Sequence, residues 1–410
     1  MPTIDSDISE ETLPQHVHFG AGSFGLGMVV EICHGQAGLR TVVVNRESEK
    51  DHHKLLKANG SYAVELDGDR DRHTTLKPEF LYYTEQDKER LLNLLASPSL
   101  LLITTAVRKE NLSLITPLLS EGLARRHKAV PSSAKLCVMA CENLSGNSAE
   151  LQKLVELRLS AEQRQHLRKE VFFCNTLVDR VCAQISCSNG GVRIPIETFQ
   201  SWIVESPNEE IPSLSLLEKN DLITLAHSRT EFKAYEVQKY WLMNGVHLAT
   251  AAYAYNYNKD LRYIAQALAV PVIAEKIKAL QDELAVAFLL YISGIGLQWL
   301  FPEERVGRYN VKVFQRLQRA RADTIGRILK FDHKSPDAIM EILDRIERLV
   351  GPQCEIQAKR KGLVHPANES VALHPPPKRV NERLELDDAV QQVVLAMRAF
   401  ALDYREELVS

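Results

Sequence analysis

The chain has 410 residues, of which 45% are hydrophobic, enough apolar material for two globular cores. Its 50 Lys and Arg against 53 Asp and Glu give a net charge of −3 without a long single-sign block, which excludes the basic footprint of a nucleic-acid-binding surface. Met1 to Gln15 is polar and acidic, not a secretory signal, and the longest apolar run, Leu284 to Leu300, is broken by Gly294, Gly296 and Gln298, so a soluble cytoplasmic protein is expected.

Residues 1–15 read as a flexible amino terminus. His16 to Phe19 is a short β-prone run that leads into Gly20-Ala21-Gly22-Ser23-Phe24-Gly25, and Leu26 to Cys33 then has a helix-compatible apolar pattern. This is the strand, glycine turn and helix of G-x-G-x-x-G. The first glycine permits the tight turn, the second lets backbone approach a pyrophosphate, and the third lets helix pack on strand. Backbone N–H groups and the helix dipole favour the phosphate charge.

Thr41 to Val44 is the next strand, and the cofactor ribose is read at its end, where an NAD site usually has an acidic residue. Asn45-Arg46 stands there instead. A neutral amide removes repulsion of a 2′-phosphate and Arg46 can pair with it, so NADP is expected over NAD, with Glu47 and Glu49 as hydroxyl acceptors in a shifted register. His52 and His53 lie on a charged helical segment and read as solvated surface.

After the charged stretch Asp67 to Arg72, Leu100 to Val107 reads as a buried parallel strand followed by a helix through Ala124. Lys135 to Cys141 is a further strand ending in Glu142-Asn143, at the sheet edge that borders a ligand crevice. Ala149 to Lys169 reads as one charged helix. Phe172 to Val178 is a strand closed by Asp179-Arg180, whose plain reading is a structural ion pair, and Val192 to Val204 is a β segment ending the sheet. Ser206-Pro207-Asn208-Glu209-Glu210 is the linker signal, dividing a dinucleotide-binding Rossmann-type α/β domain at 16–206 from a mostly α-helical substrate domain at 207–410.

Ser228-x-x-Glu231 is a capping box that opens a helix carrying Glu236, Lys239, Asn244 and His247. At about 100° per residue, with Lys239 at zero, Glu236 falls near 60°, His247 near 80° and Asn244 near 140°, so all four share one face. Lysine, amide and imidazole together are equipment for moving a proton at a carbinol. Further helices are expected at Leu261 to Leu280, Asp282 to Gly294, Val311 to Leu329, Asp337 to Val350 and Leu386 to Tyr404. The 7 cysteines are scattered without paired C-x-x-C clusters, so reduced core thiols and no metal site are expected.

Lys239-x4-Asn244-x2-His247 resembles the signature of the polyol-specific long-chain dehydrogenases, and the chain is most similar to their mannitol-1-phosphate 5-dehydrogenase branch. The similarity includes His18-Phe19-Gly20-Ala21-Gly22, Thr104 to Val107, Ala140 to Asn143, Val178 to Val181, Glu197-Thr198-Phe199 with Trp202-Ile203-Val204, and Arg305 to Arg308. The resemblance implies a metal-independent NAD(P) oxidoreductase that interconverts a polyol, such as mannitol 1-phosphate, and its ketose, such as fructose 6-phosphate. It implies Lys239 as general base or acid, Asn143 and Asn244 as the amides that polarise the carbonyl, and His247 as the group that orients a substrate hydroxyl. Glu236 and Asp179 match acidic positions that gate or relay the proton in related mannitol 2-dehydrogenases. Gly20, Ala21, Gly22, Ser23, Phe24, Gly25, Asn45, Arg46, Thr105 and Ala106 are implied to hold the cofactor.

After Arg308 the chain departs from the branch pattern, with Tyr309-Asn310-Val311-Lys312-Val313. Arg305, Arg308 and Lys312 remain as a basic helical face for a substrate phosphate, and a solvated face is the competing reading. A sugar-acid (uronate) or non-phosphorylated polyol reductase is the alternative enzyme, and a non-catalytic dinucleotide-binding module the alternative of another class.

Overall fold

A computed structural model describes residues 15–47, 50–66, 69, 71–83, 87–129, 135–188 and 190–281. Residue contacts divide the chain into two compact units, Met1–Phe232 and Lys233–Ser410. The expected helices beyond 281, and Arg305, Arg308 and Lys312, lie outside the described residues.

The first unit begins with β1 (Gln15–Phe19), the helix Gly25–Gln36, β2 (Arg40–Arg46), α1 (Asp51–Asn59), β3 (Tyr62–Leu66), β4 (His73–Leu76), β5 (Glu79–Tyr83) and α2 (Lys88–Ala96). It continues through β6 (Leu100–Thr105), α3 (Leu112–Ala129), β7 (Leu136–Ala140), α4 (Asn147–Glu156), α5 (Ala161–Glu170) and β8 (Val171–Phe173). The last elements are β9 (Thr176–Asp179), β10 (Ser186–Ser188), β11 (Gly191–Ile196), β12 (Ser201–Glu205), α6 (Pro212–Lys219), β13 (Thr224–Ala226) and α7 (Arg229–Lys239), which runs into the second unit.

The central sheet has the order β5-β2-β1-β6-β7-β8, and all five pairings are parallel. The strand order reverses between β1 and β6, the switch point at which a doubly wound sheet opens a crevice for a dinucleotide. Both faces are covered, so its strands are apolar on both sides. Leu136, Val138 and Ala140 of β7 face one core with Val17, Phe19 and Ile103, while Cys137, Met139 and Cys141 face another with Met28, Ile32 and Leu102. Each fully buried aliphatic side chain contributes roughly 1.5–3 kcal/mol.

The expected strand Phe172 to Val178 is two strands in two sheets. β8 ends the parallel sheet, whereas β9 joins β12 and β13 in a separate three-stranded sheet. The break falls where the Asn175 side chain accepts from Ala149 N–H and donates to Glu205. Val192 to Val204 likewise splits into β11, which pairs with β3 in a four-stranded sheet, and β12. The long charged helix is interrupted after Glu156, because Ser160 and Gln163 form a capping box that starts α5.

The helix after the glycine turn is wound as a π-helix over 12 residues. Gly25 to Val30 are six consecutive buried residues, more than the single stripe of a surface α-helix. In the second unit the π-helical segment Tyr240–Gly245 follows α7, then come α8 (Val246–Tyr257) and the short α9 (Ile264–Leu268). The helix expected at Leu261 to Leu280 is thus in two pieces, α9 and the helical residues 271–281, the second starting at Pro271, where proline suits a first turn. Among the described residues no helix is long and apolar enough to cross a membrane.

Candidate active site

The glycine turn lies at the carboxyl end of β1, between the ends of β2 and β6. Gly20 N–H donates to Val44 O at 2.9 Å and Ala106 N–H donates to Phe19 O at 2.8 Å. The three glycines have distinct physical requirements. Gly20 has φ +116°, and a Cβ there would lie 2.6 Å from the Ala106 carbonyl oxygen. A Cβ on Gly25 would lie 2.6 Å from both Gly20 O and His18 Nε2. A Cβ on Gly22 would meet no protein atom within 4 Å. Packing therefore does not require glycine at 22, and the space over its backbone is open. The helix that starts behind Gly22 directs its first N–H groups at the same place, so the turn suits a diphosphate.

Beneath the turn lies a buried polar chain. Val17 and Phe19 of β1 face one core, and the alternate residues His16 and His18 point to the other face. His16 Nδ1 is 3.1 Å from Thr41 Oγ1, His16 Nε2 is 2.6 Å from Thr104 Oγ1, and His18 Nδ1 is 2.7 Å from the same oxygen. One hydroxyl donates to one ring and accepts from the other, which ties the two tautomers together. Burial holds both imidazoles neutral, pushing His18 down to about 3 and His16 well below the usual histidine range.

At the end of β2, Asn45 is half-buried and Arg46 exposed. The Asn45 amide nitrogen is 3.3 Å from His53 Nε2. His53 is buried, 5.7 Å between ring centroids from Tyr82, which corrects the expectation of a solvated residue; burial lowers its pKa, partly offset by a backbone hydrogen bond to Ala21. The tyrosine that covers it comes from β5, a strand unmarked in the sequence. His52 is half-buried and pushed down to about 4, by burial first and then by His53. Glu47 is exposed and paired with Lys57 at 3.4 Å.

At the ends of β6 and β7, Thr105 is committed to a protein partner. Its hydroxyl donates to both Glu142 carboxylate oxygens at 2.8 and 2.9 Å, and Val107 N–H donates to the same carboxylate at 2.9 Å. Burial raises the Glu142 pKa, partly offset by these donors. Asn143 follows, exposed, in a turn that Asn147 ties down by donating to Glu142 O at 3.0 Å and Thr176 O at 2.9 Å. Arg180 makes the expected structural ion pair: its guanidinium is buried, 2.7 Å from Glu31 and also donating to Glu197 O. Asp179, its neighbour, ends β9 half-buried.

In the second unit Lys239 ends α7 and Asn244 lies in the π-helical segment that begins at Tyr240. The i→i+5 pattern turns less per residue than an α-helix, so residues five apart, such as Lys239 and Asn244, stand closer to one line than the expected 140° separation. The Asn244 amide nitrogen is buried and has no hydrogen-bond partner among the described residues. Glu236, buried, accepts from Lys233 Nζ at 3.0 Å. His247 follows in α8, half-buried. The capping box opens α7 with Glu231 N–H donating to Ser228 Oγ at 3.1 Å, while the Glu231 carboxylate accepts from His227 N–H at 2.7 Å.

Residues 14–217 match the mannitol dehydrogenase Rossmann domain family. The chain's amino-terminal domain belongs to the mannitol dehydrogenase family. Among its relatives, the mannitol-1-phosphate 5-dehydrogenase of Aureobasidium melanogenum is 26% identical over 341 residues, covering 83% of this chain and 80% of that protein. That of Bacillus velezensis is 26% identical over 348 residues, covering 83% of each. Among solved structures, Pseudomonas fluorescens mannitol 2-dehydrogenase, in complex with NAD and D-mannitol, superposes with a TM-score of 0.57 at 16% identity, covering 97% of this chain and 92% of that one. At that identity the superposition shows a shared fold.

Within this mannitol dehydrogenase domain the sequence had assigned no role to Glu142. A carboxylate directly after the five apolar residues of β7 is buried on arrival and must find donors, which is the signal that could have singled it out. Away from the glycine turn, His127, His166 and Glu170 bring ligand-type atoms within 4.8 Å of one another. Glu170 there also faces the buried Arg126, whose charge it answers.

Proposed function

We propose that the chain is an NAD(P)-dependent oxidoreductase that interconverts a secondary alcohol of a sugar-alcohol phosphate, such as mannitol 1-phosphate, with its ketose, such as fructose 6-phosphate. The observation that carries this reading is the Asn244 amide donor, buried without a partner among the described residues in the π-helical segment that follows Lys239. Buried donors are almost always paired, and π-helical turns recur at functional sites. A donor left over for a ligand is what a developing alkoxide requires. The names of the curated relatives support the substrate class.

A bound nicotinamide supplies hydride transfer. The residues of this chain manage the proton and the oxygen. Lys239 takes the alcohol proton in oxidation and returns it to the alkoxide in reduction, so oxidation at neutral pH requires its pKa to be depressed. Asn244 and Asn143 donate to the carbonyl oxygen, His247 orients a substrate hydroxyl, and Glu236 and Asp179 relay the proton. Arg305, Arg308 and Lys312 hold the substrate phosphate. NADP is the preferred cofactor, because no carboxylate ends β2 and Arg46 is exposed beside Asn45.

The test is turnover followed at 340 nm with fructose 6-phosphate, fructose, mannitol 1-phosphate and uronates, in wild type and Lys239→Ala. The variant is expected to bind dinucleotide with unchanged affinity and to lose most of kcat. Near-wild-type kcat would refute the lysine role, and preference for fructose or a uronate would refute the phosphorylated substrate.

A further inference from the structure

Arg108 has φ 74° and ψ 151°, a backbone region essentially restricted to glycine. Among the described residues the other non-glycine position with positive φ is Asp221 at 54°, in the left-handed region that aspartate tolerates. The conformation at Arg108 is fixed by its neighbours. Val107 N–H donates to the Glu142 carboxylate at 2.9 Å, Asn111 Nδ2 donates to Val107 O at 2.7 Å, and Asn111 N–H donates to Arg108 O at 3.0 Å. Glycine would occupy this position without strain. The arginine side chain is exposed and has no hydrogen bond or ion pair with another described residue.

Its location indicates what it does add. Arg108 follows β6 at the reversal of strand order, directly after the two residues that lie against the glycine turn. A Cβ on Gly20 would lie 2.6 Å from Ala106 O and 3.4 Å from Val107 Cγ1, and a Cβ on Gly25 would lie 3.4 Å from Ala106 Cβ. The Arg108 backbone thus follows directly on the residues that border the turn, the one with open space over Gly22. We propose that Arg108 binds the diphosphate of the dinucleotide, as a cation held at the crevice by a strained backbone; this rests on the dinucleotide-binding reading of the first unit. A guanidinium fork suits bidentate bonds to phosphate oxygens, which complement the N–H groups of the turn. Strain maintained at a ligand site by surrounding hydrogen bonds is a recognised arrangement.

Arg108→Gly removes both the charge and the strain, whereas Arg108→Ala removes the charge alone. NADH and NADPH are titrated by fluorescence into wild type and both variants without substrate, and thermal unfolding is measured without nucleotide. Both variants are expected to raise Kd about 10-fold for NADH and NADPH alike, with a difference from wild type that shrinks in high salt. Arg108→Gly is expected to melt about 2–4 °C above Arg108→Ala. Unchanged dinucleotide Kd in both variants overturns the assignment. So does a loss confined to NADPH, which would place the guanidinium at the 2′-phosphate. Wild-type protein that binds neither dinucleotide would overturn the dinucleotide reading as well.

Discussion

The Thr105 hydroxyl donates to both oxygens of the Glu142 carboxylate, at 2.8 and 2.9 Å, and so ties the end of β6 to the end of β7. Val107 N–H adds a third bond to the same carboxylate at 2.9 Å. Glu142→Ala leaves a partly buried N–H without its acceptor and should destabilise the fold by about 1–3 kcal/mol, whereas Glu142→Gln keeps one acceptor oxygen and should cost less. Burial raises the Glu142 pKa in the folded state, so the folded protein holds this proton to higher pH than the unfolded chain. The linked stability is present at low pH and is lost as pH rises through the raised value. Denaturant unfolding at several pH values should therefore show Glu142→Gln gaining on wild type as pH rises; a gap independent of pH would rule out this titration.

The glycine turn predicts opposite outcomes for two similar substitutions. Gly25→Ala drives a methyl to 2.6 Å from a backbone oxygen and a buried ring, and should destabilise by about 1–3 kcal/mol. Gly22→Ala meets no protein atom within 4 Å and should leave stability within about 0.5 kcal/mol of wild type. Its dinucleotide Kd should rise by about 10-fold or more, because the methyl occupies the path of the phosphate. Thermal unfolding and fluorescence titration read the two effects separately, and a Gly22→Ala protein of normal affinity would contradict the turn's role.

The parallel sheet and its glycine turn were legible because short continuous apolar runs and the G-x-G-x-x-G spacing are local signals. The three-stranded sheet of β9, β12 and β13 was not. Its strands are three to five residues long, and β9 is separated from β8 only by Cys174-Asn175, which an apolar pattern reads through. The π-helical winding at Gly25–Gln36 and Tyr240–Gly245 was equally hidden, since composition does not distinguish i→i+5 from i→i+4 hydrogen bonding. Lys239, Asn244 and His247 were therefore visible as residues while their angular relation was not. Arg108 was hidden because backbone strain depends on bonds from Glu142 and Asn111, which the local sequence does not reveal.

The buried His16-Thr104-His18 chain makes stability pH-dependent with a definite sign. Both imidazoles have folded pKa values below the ordinary 6.5, His18 at about 3, so the folded protein binds fewer protons than the unfolded chain at acid pH. Their contribution is intact above about pH 6.5 and declines as pH falls toward the folded values, by up to about 1.4 kcal/mol per pH unit for each histidine. His18→Asn keeps a partner for Thr104 and removes one titrating group. Its unfolding free energy should fall less steeply than that of wild type between pH 6 and about pH 4. Parallel slopes would assign the acid sensitivity to other groups.

The proposed preference for NADP assigns cofactor choice to the charge at the end of β2. Asn45 is neutral and engaged with His53 at 3.3 Å, and Arg46 beside it is exposed. Asn45→Asp places a carboxylate where the ribose is read, which accepts a 2′-hydroxyl and repels a 2′-phosphate. The ratio of kcat/KM for NADPH over NADH should fall by about 10-fold or more, equivalent to about 1.4 kcal/mol. Arg46→Ala should lower kcat/KM for NADPH by a similar factor and leave NADH nearly unchanged, since the charge-assisted bond it removes is made to the extra phosphate alone. An equal loss with both cofactors would mean that Arg46 does not read the 2′ position. A wild-type preference for NADH would instead mean that a hydroxyl acceptor other than residue 45 operates there, and Glu47, released from its exposed pair with Lys57, is the group to substitute next.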